Sequence, residues 1–135
     1  MNSSPQCIIK HIHRNFFEAF NRRDMTALAS IYGQKCLIHS KSGDLFGPKA
    51  LIGVVNQWLE HFPELKIYPV FSDLKDDIVT VHWRAESPTQ KTEGIFKHPK
   101  KNSFHGLTCF RMEKEEVVEH WACIDYRKMN MDASF

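Results

Sequence analysis

His105 and Asp125 are the two residues of this 135-residue chain whose types and spacing best suit chemistry. Two alternating runs, 103–113 and 117–126, flank the turn Lys114-Glu115-Glu116 and read as an antiparallel hairpin. If Glu113 pairs with Val117, His105 falls opposite Asp125 and Arg111 opposite Glu119. Both cross-strand pairs are then complementary in charge. A register one step away sets Phe104 against Asp125 and Phe110 against Glu119, without that gain. A carboxylate among apolar, aromatic groups has its pKa raised by desolvation, and a neighbouring imidazole can hold or exchange its proton. Such a dyad can move a proton from a substrate carbon to another atom. The alternative is a structural pair that anchors the sheet.

His39 is a second candidate. It ends the short run Cys36-Leu37-Ile38-His39, just before a glycine-containing loop, where side chains often line a cavity mouth. A partly exposed loop histidine fits the same position. Trp58, Phe62, Trp83 and Trp121 lie on expected inward faces and are candidates for substrate binding, with plain core packing as the alternative. The motifs GxGxxG, GxxxxGK[ST], HExxH and GxSxG are absent. Eight histidines invite a metal, but His11 and His13 lie two apart on a helix and point apart. His61 and His98 sit near element ends, so no metal site is expected.

The elements that must position these residues follow from periodicity. Ile8, Ile9, Ile12, Phe16 and Phe20 recur at helical spacing and predict a helix over 6–22. Asp24 is a good N-cap for a second helix over 25–31, with Gly33 as its stop. Pro48 opens a third, whose stripe of Leu51, Val54, Val55, Trp58, Leu59 and Phe62 ends at Pro63. The run 41–44 reads as a loop. After Pro63 the period drops to 2. Strands are expected over 65–71, 78–85, 91–97, 103–113 and 117–126, with Val79, Val81 and Trp83 on one side of the second. Helices followed by a meander of antiparallel strands give the α+β class.

The length suits one domain, 1–135, with a core of about 6–128. Hydrophobic residues at 42% and charged residues at 25% are those of a soluble globular protein. A net charge of +2 gives no reason to expect nucleic acid. No apolar run approaches the ~20 residues of a membrane helix, and the N-terminus lacks a signal-peptide core. Four cysteines without a CxxC pair suggest free thiols and a cytoplasmic location. Lys97, His98, Lys100 and Lys101 read as a solvated loop. Both faces of the last two strands carry apolar residues. One side, with Phe104, Phe110 and Tyr126, is expected to face outward and to be covered by a second copy, giving a homodimer through the sheet. Trp83 and Trp121 are then expected to line a pocket on the other.

The segments FFEAFNRRDMTAL, CLIH, FGPKALIGVVNQWLEHFPELKI and FHGLTCFRMEKEEVVEHWACID together resemble the SnoaL-like polyketide cyclases. That family shares a superfamily with nuclear transport factor 2 and ketosteroid isomerase. The likeness runs from about Ile8 to Lys128. It implies a cone-like, curved sheet on a helical layer with a pocket between them, and neither metal nor cofactor. It implies a small hydrophobic carbonyl compound as ligand and an acid/base at Asp125 for intramolecular ring closure, with His105 as the group that helps hold the enolate. The segment 86–101 departs from the family pattern. The alternatives are a non-catalytic binder of a small hydrophobic ligand and a protein-interaction module of the same fold.

Overall fold

Ser4 opens the chain's first helix by accepting the Cys7 N–H on its hydroxyl at 3.2 Å, in a computed structural model that describes residues 4–41, 43–88 and 102–125. Asn102 and Asp125 are described in their backbone alone. The first helix, α1 (Pro5–Ile12), runs on through a π-helical stretch, His13–Glu18, into α2 (Ala19–Arg22), with right-handed dihedrals at both joins. The helix expected over 6–22 is thus one rod with a widened middle, and the consecutive Phe16 and Phe17 of that stretch are both buried. Arg23, left-handed at φ 61°, ends it. The Asp24 carboxylate then accepts the Ala27 N–H at 3.0 Å and starts α3 (Met25–Ser30), as its type suggested.

Gly33 does not stop α3. Ile31 does, and β1 (Tyr32–Ser40) begins at once, because the Val117 N–H bonds the Ile31 carbonyl at 2.7 Å and draws the chain into the sheet. The expected loop at 41–44 gives way in part to β2 (Gly43–Phe46), which folds back on β1 with Ser40 opposite Gly43. Gly47, at φ 90°, supplies the turn into α4 (Pro48–His61), with Pro48 in its first turn. The remaining strands are β3 (Lys66–Lys75), β4 (Ile78–Ser87), β5 (Asn102–Glu113) and β6 (Glu116–Asp125). The strand expected over 91–97, the basic cluster at 97–101 and Tyr126 lie outside the described residues.

The six strands lie in the order β2-β1-β6-β5-β4-β3. Every neighbouring pair is antiparallel except β1 and β6, which run parallel, so the sheet is mixed rather than wholly antiparallel. It is curved and open, and the helices pack on one face of it. That inner face carries Val79, Val81, Trp83 and Ala85 from β4, and Phe104, Gly106, Thr108, Phe110 and Met112 from β5, all buried. Phe104 and Phe110 therefore do not form an outer face awaiting a second copy. Both are fully buried against the helices. The outer face of β5 carries His105, Leu107, Cys109 and Arg111 instead.

Candidate functional site in the cone and on its outer face

The β5–β6 hairpin has the register that charge complementarity favoured: His105 stands opposite Asp125 and Arg111 opposite Glu119. The turn itself differs. Glu113 pairs with Glu116, not Val117, and a bulge between Arg111 and Met112 absorbs the offset. Arg111 Nε donates to Glu119 at 3.0 Å, as that pairing implies.

On the inner face, Phe104 is the hub of an aromatic wall. Trp58 of α4 stacks on it at 5.7 Å between centroids, Phe62 approaches at 5.8 Å, and Trp83 meets it edge-on at 6.1 Å. Trp58 and Phe62 reach it together because they lie four residues apart at the end of the helix. Trp83 crosses Gly106, where any Cβ would clash with the Cζ2, Cη2 and Cε2 atoms of the indole. Crossing there, its indole N–H reaches the Thr108 hydroxyl at 2.8 Å. The glycine and the threonine of β5 thus fix the ring of β4.

Further along the inner face, opposite Phe110 and six residues along β5 from Phe104, lies a polar pair. The Tyr32 hydroxyl lies 2.9 Å from His120 Nδ1, with Phe16 and Phe110 packed on the imidazole. Burial, the larger cause, and the charge of His39 push the His120 pKa down to about 4, so the ring is neutral at pH 7. Burial also holds the Tyr32 phenol well above its ordinary range, so it keeps its proton. Two residues on, Ala122 points to the same inner side as Thr108, its cross-strand partner, yet is exposed. Solvent therefore reaches the inner face at that point.

Where β1 meets β6, the outer face is built from charges. His39 Nε2 donates to Glu119 at 2.7 Å and Nδ1 to Asp44 at 3.0 Å, so two carboxylates hold the imidazolium. The Glu119 hydrogen bond is the main reason that the His39 pKa is raised, and the same bond lowers that of Glu119. Trp121 stacks on the His39 ring at 5.3 Å. Further along the face, His105 Nδ1 lies 3.2 Å from His82 Nε2. Among the described residues, no three His, Cys, Asp or Glu side chains gather as a metal-binding set.

The nominated site residues thus divide. Trp58, Phe62 and Trp83 share the inner wall, while His39, His105 and Trp121 lie on the outer face. Asp125 is the strand partner of His105, with its side chain outside the described set. His120 and Tyr32 were not singled out by sequence. The signal was present in the pairing of Trp83 with Gly106, which turns the Phe104 side of β5 inward and His120 with it.

Solved structures with this fold are numerous. AclR of Streptomyces galilaeus, a proposed hydroxylase, superposes with a TM-score of 0.74 at 20% identity, over 93% of each chain. IdmH of Streptomyces antibioticus, a proposed polyketide cyclase, gives 0.74 at 22% identity, over 94% of this chain and 96% of its own. TsrD of Streptomyces laurentii gives 0.73 at 14%, over 93% and 97%. At such identities the likeness establishes the fold and no more. No curated protein matches the chain. Residues 10–132 match the family of SnoaL-like polyketide cyclases, and the chain belongs to that family.

Proposed function

We propose that the inner face of the cone holds a small hydrophobic, carbonyl-containing molecule and that the protein moves a proton on it without a cofactor. The observation that carries this is the aromatic wall of Trp58, Phe62, Trp83 and Phe104 beside an inner face that opens to solvent at Ala122. Apolar walls with few, well-placed polar groups are what small-ligand sites are made of. A proposed cyclase and a proposed hydroxylase share this fold, so the fold alone leaves the chemistry open. Ring closure or isomerisation next to a carbonyl needs only a proton donor and acceptor, which side chains supply.

Asp125 is the proposed general acid/base, with His105 as its partner across the strand. Their pairing in the register supports this. His105 belongs to the outer face, and Asp125 is the last residue of β6, next to the inward, half-buried Ile124. His39 and Trp121 stack on the far side of the sheet from the wall and have no part in this inner site. The test is turnover of β-keto esters and enone lactones by wild type and Asp125→Asn. Loss of turnover with ligand binding kept is expected. Unchanged turnover sinks the role of Asp125, and binding by wild type without any turnover favours the non-catalytic binder.

We also propose a homodimer through the outer sheet face. Phe71 and Leu107 stand 67% and 43% exposed there, on neighbouring positions beside His82. Apolar groups of this size on one sheet face are a common mark of a protein interface. Sedimentation at micromolar concentration should give a dimer that Leu107→Asp dissociates. A wild-type monomer rejects the proposal, and a monomer that captures another protein on this face favours the interaction module.

A further inference from the structure

We propose that His120 donates its Nε2–H to the oxygen of the molecule held in the cone, and that Tyr32 is the positioning residue that fixes this tautomer. The inference rests on the inner-face reading above and adds the polar group that orients the ligand there.

The tautomer follows from counting protons. The buried Tyr32 phenol keeps its proton, and the hydrogen-bond partner of its oxygen is His120 Nδ1 at 2.9 Å. If Nδ1 carried the hydrogen, the buried phenol proton would have no hydrogen-bond acceptor among the described residues, which is costly. The hydroxyl therefore donates to Nδ1, and the single hydrogen of the neutral ring sits on Nε2.

Nε2 is also the free end. Among the described residues no buried side-chain nitrogen or oxygen lacks a hydrogen-bond partner. The hydrogen bond of His120 is spent at Nδ1, and the residue is 7% exposed. Nε2, which has no protein partner among the described residues, therefore keeps some contact with solvent, and its neighbour Ala122 on the same face of β6 is exposed. An uncharged N–H in an apolar surround is a strong donor to an oxygen that gains negative charge, and its place is set before the ligand arrives. The outer-face histidines cannot substitute. His39 is held by two carboxylates, and His105 shares a hydrogen bond with His82.

The test uses 15N-labelled full-length protein and 4-nitrophenolate, an apolar ring with one anionic oxygen. The free protein should show His120 protonated at Nε2 and bare at Nδ1. Adding the probe should move the Nε2 signal and quench tryptophan fluorescence. Tyr32→Phe, a change that removes one oxygen, should mix the two tautomers and weaken the probe about twofold, the share of rings that lose the Nε2 hydrogen. His120→Phe should weaken it at least about tenfold, the scale of one hydrogen bond to a charged group. If that variant fails to fold, Tyr32→Phe still decides. Three results overturn the inference. One is a wild-type His120 protonated at Nδ1. The second is a probe that quenches tryptophan and leaves His120 unmoved, which spares the cone as a ligand site. The third is a probe that fails to bind at its solubility limit, which removes the cone as a ligand site as well.

Discussion

His39 and His120 sit on neighbouring strands, one residue apart in register, and the sheet between them gives them opposite chemistry. His120 faces inward, has one hydrogen-bond partner and is pushed down to about 4. His39 faces outward, has two carboxylates and is raised. The residue type is the same and the strands touch, so the difference lies in the face. The inner face charges the full desolvation cost to a cation, and the outer face supplies counter-ions in water. Structure inside this cone is therefore held by shape and single hydrogen bonds, and outside by charge.

The sharpest way to break that contrast is at Phe104, the hub of the inner wall. Phe104→Ala removes a fully buried ring that Trp58, Phe62 and Trp83 all touch. A loss of about 4 kcal/mol in unfolding free energy is expected from urea denaturation. Leu107→Ala, three residues on and on the outer face, should cost far less. Equal losses would show that the two faces are not distinct in packing.

The next effect is the acid sensitivity of the inner face. His120 binds a proton less readily folded than unfolded, since its folded pKa of about 4 lies below the ordinary 6.5. Its contribution to stability is complete above pH 6.5 and is lost as pH falls towards 4. The shift corresponds to roughly 3 kcal/mol over that interval. His120→Asn should be less stable than wild type at pH 7 and should lose less on acidification to pH 4.5. Parallel pH curves for the two proteins would mean that His120 is not the inner proton site.

A smaller effect separates shape from chemistry on the inner face. Gly106→Ala drives a methyl into the Trp83 ring, which its N–H bond to Thr108 holds in place. A cost of about 2 kcal/mol is expected, the range for overpacking. Trp83→Phe lacks the ring atoms that clash, so Gly106→Ala should cost clearly less in that background. An equal cost in both would mean that the glycine serves the backbone of β5 and not the indole.

Much of this was legible in the sequence. The capped α3, the stripe of α4 and the hairpin register all rest on local rules, a cap, a period of 3.6 and cross-strand charge, which the fold had no reason to override. The face of β5 was not legible in the same way. Apolar residues occur on both of its sides, and Ser87 at the end of β4 is far in sequence from Asn102 at the start of β5, so no local rule carries the register across. Only the match of Trp83 to Gly106 decides it, and that is a contact between distant segments. Turning the face also moved His105 outward and brought in His120, which no local rule marked. The β2 strand was missed because it forms only by pairing with β1.

The smallest expected effect lies in the outer network, and its sign differs from that of the inner histidine. The His39 pKa is raised in the folded state, chiefly by the Glu119 hydrogen bond. Its contribution is therefore complete below pH 6.5 and lost as pH rises through the folded pKa. Glu119, held below its ordinary 4.5, loses its contribution only as pH falls. The ion pair is thus intact between those two limits. Above the upper one, the link from β2 through β1 to β6 weakens first, because His39 joins Asp44 on one side to Glu119 on the other. Amide hydrogen exchange at Asp44 and Leu45 in wild type should accelerate more, as pH rises through the folded pKa of His39 above 6.5, than base catalysis alone explains. His39→Gln should remove that excess while leaving the exchange of β4 and β5 unchanged, and the same should hold at low but not at high salt. An excess that survives the substitution would assign the outer proton to another group and leave the contrast with His120 without its outer half.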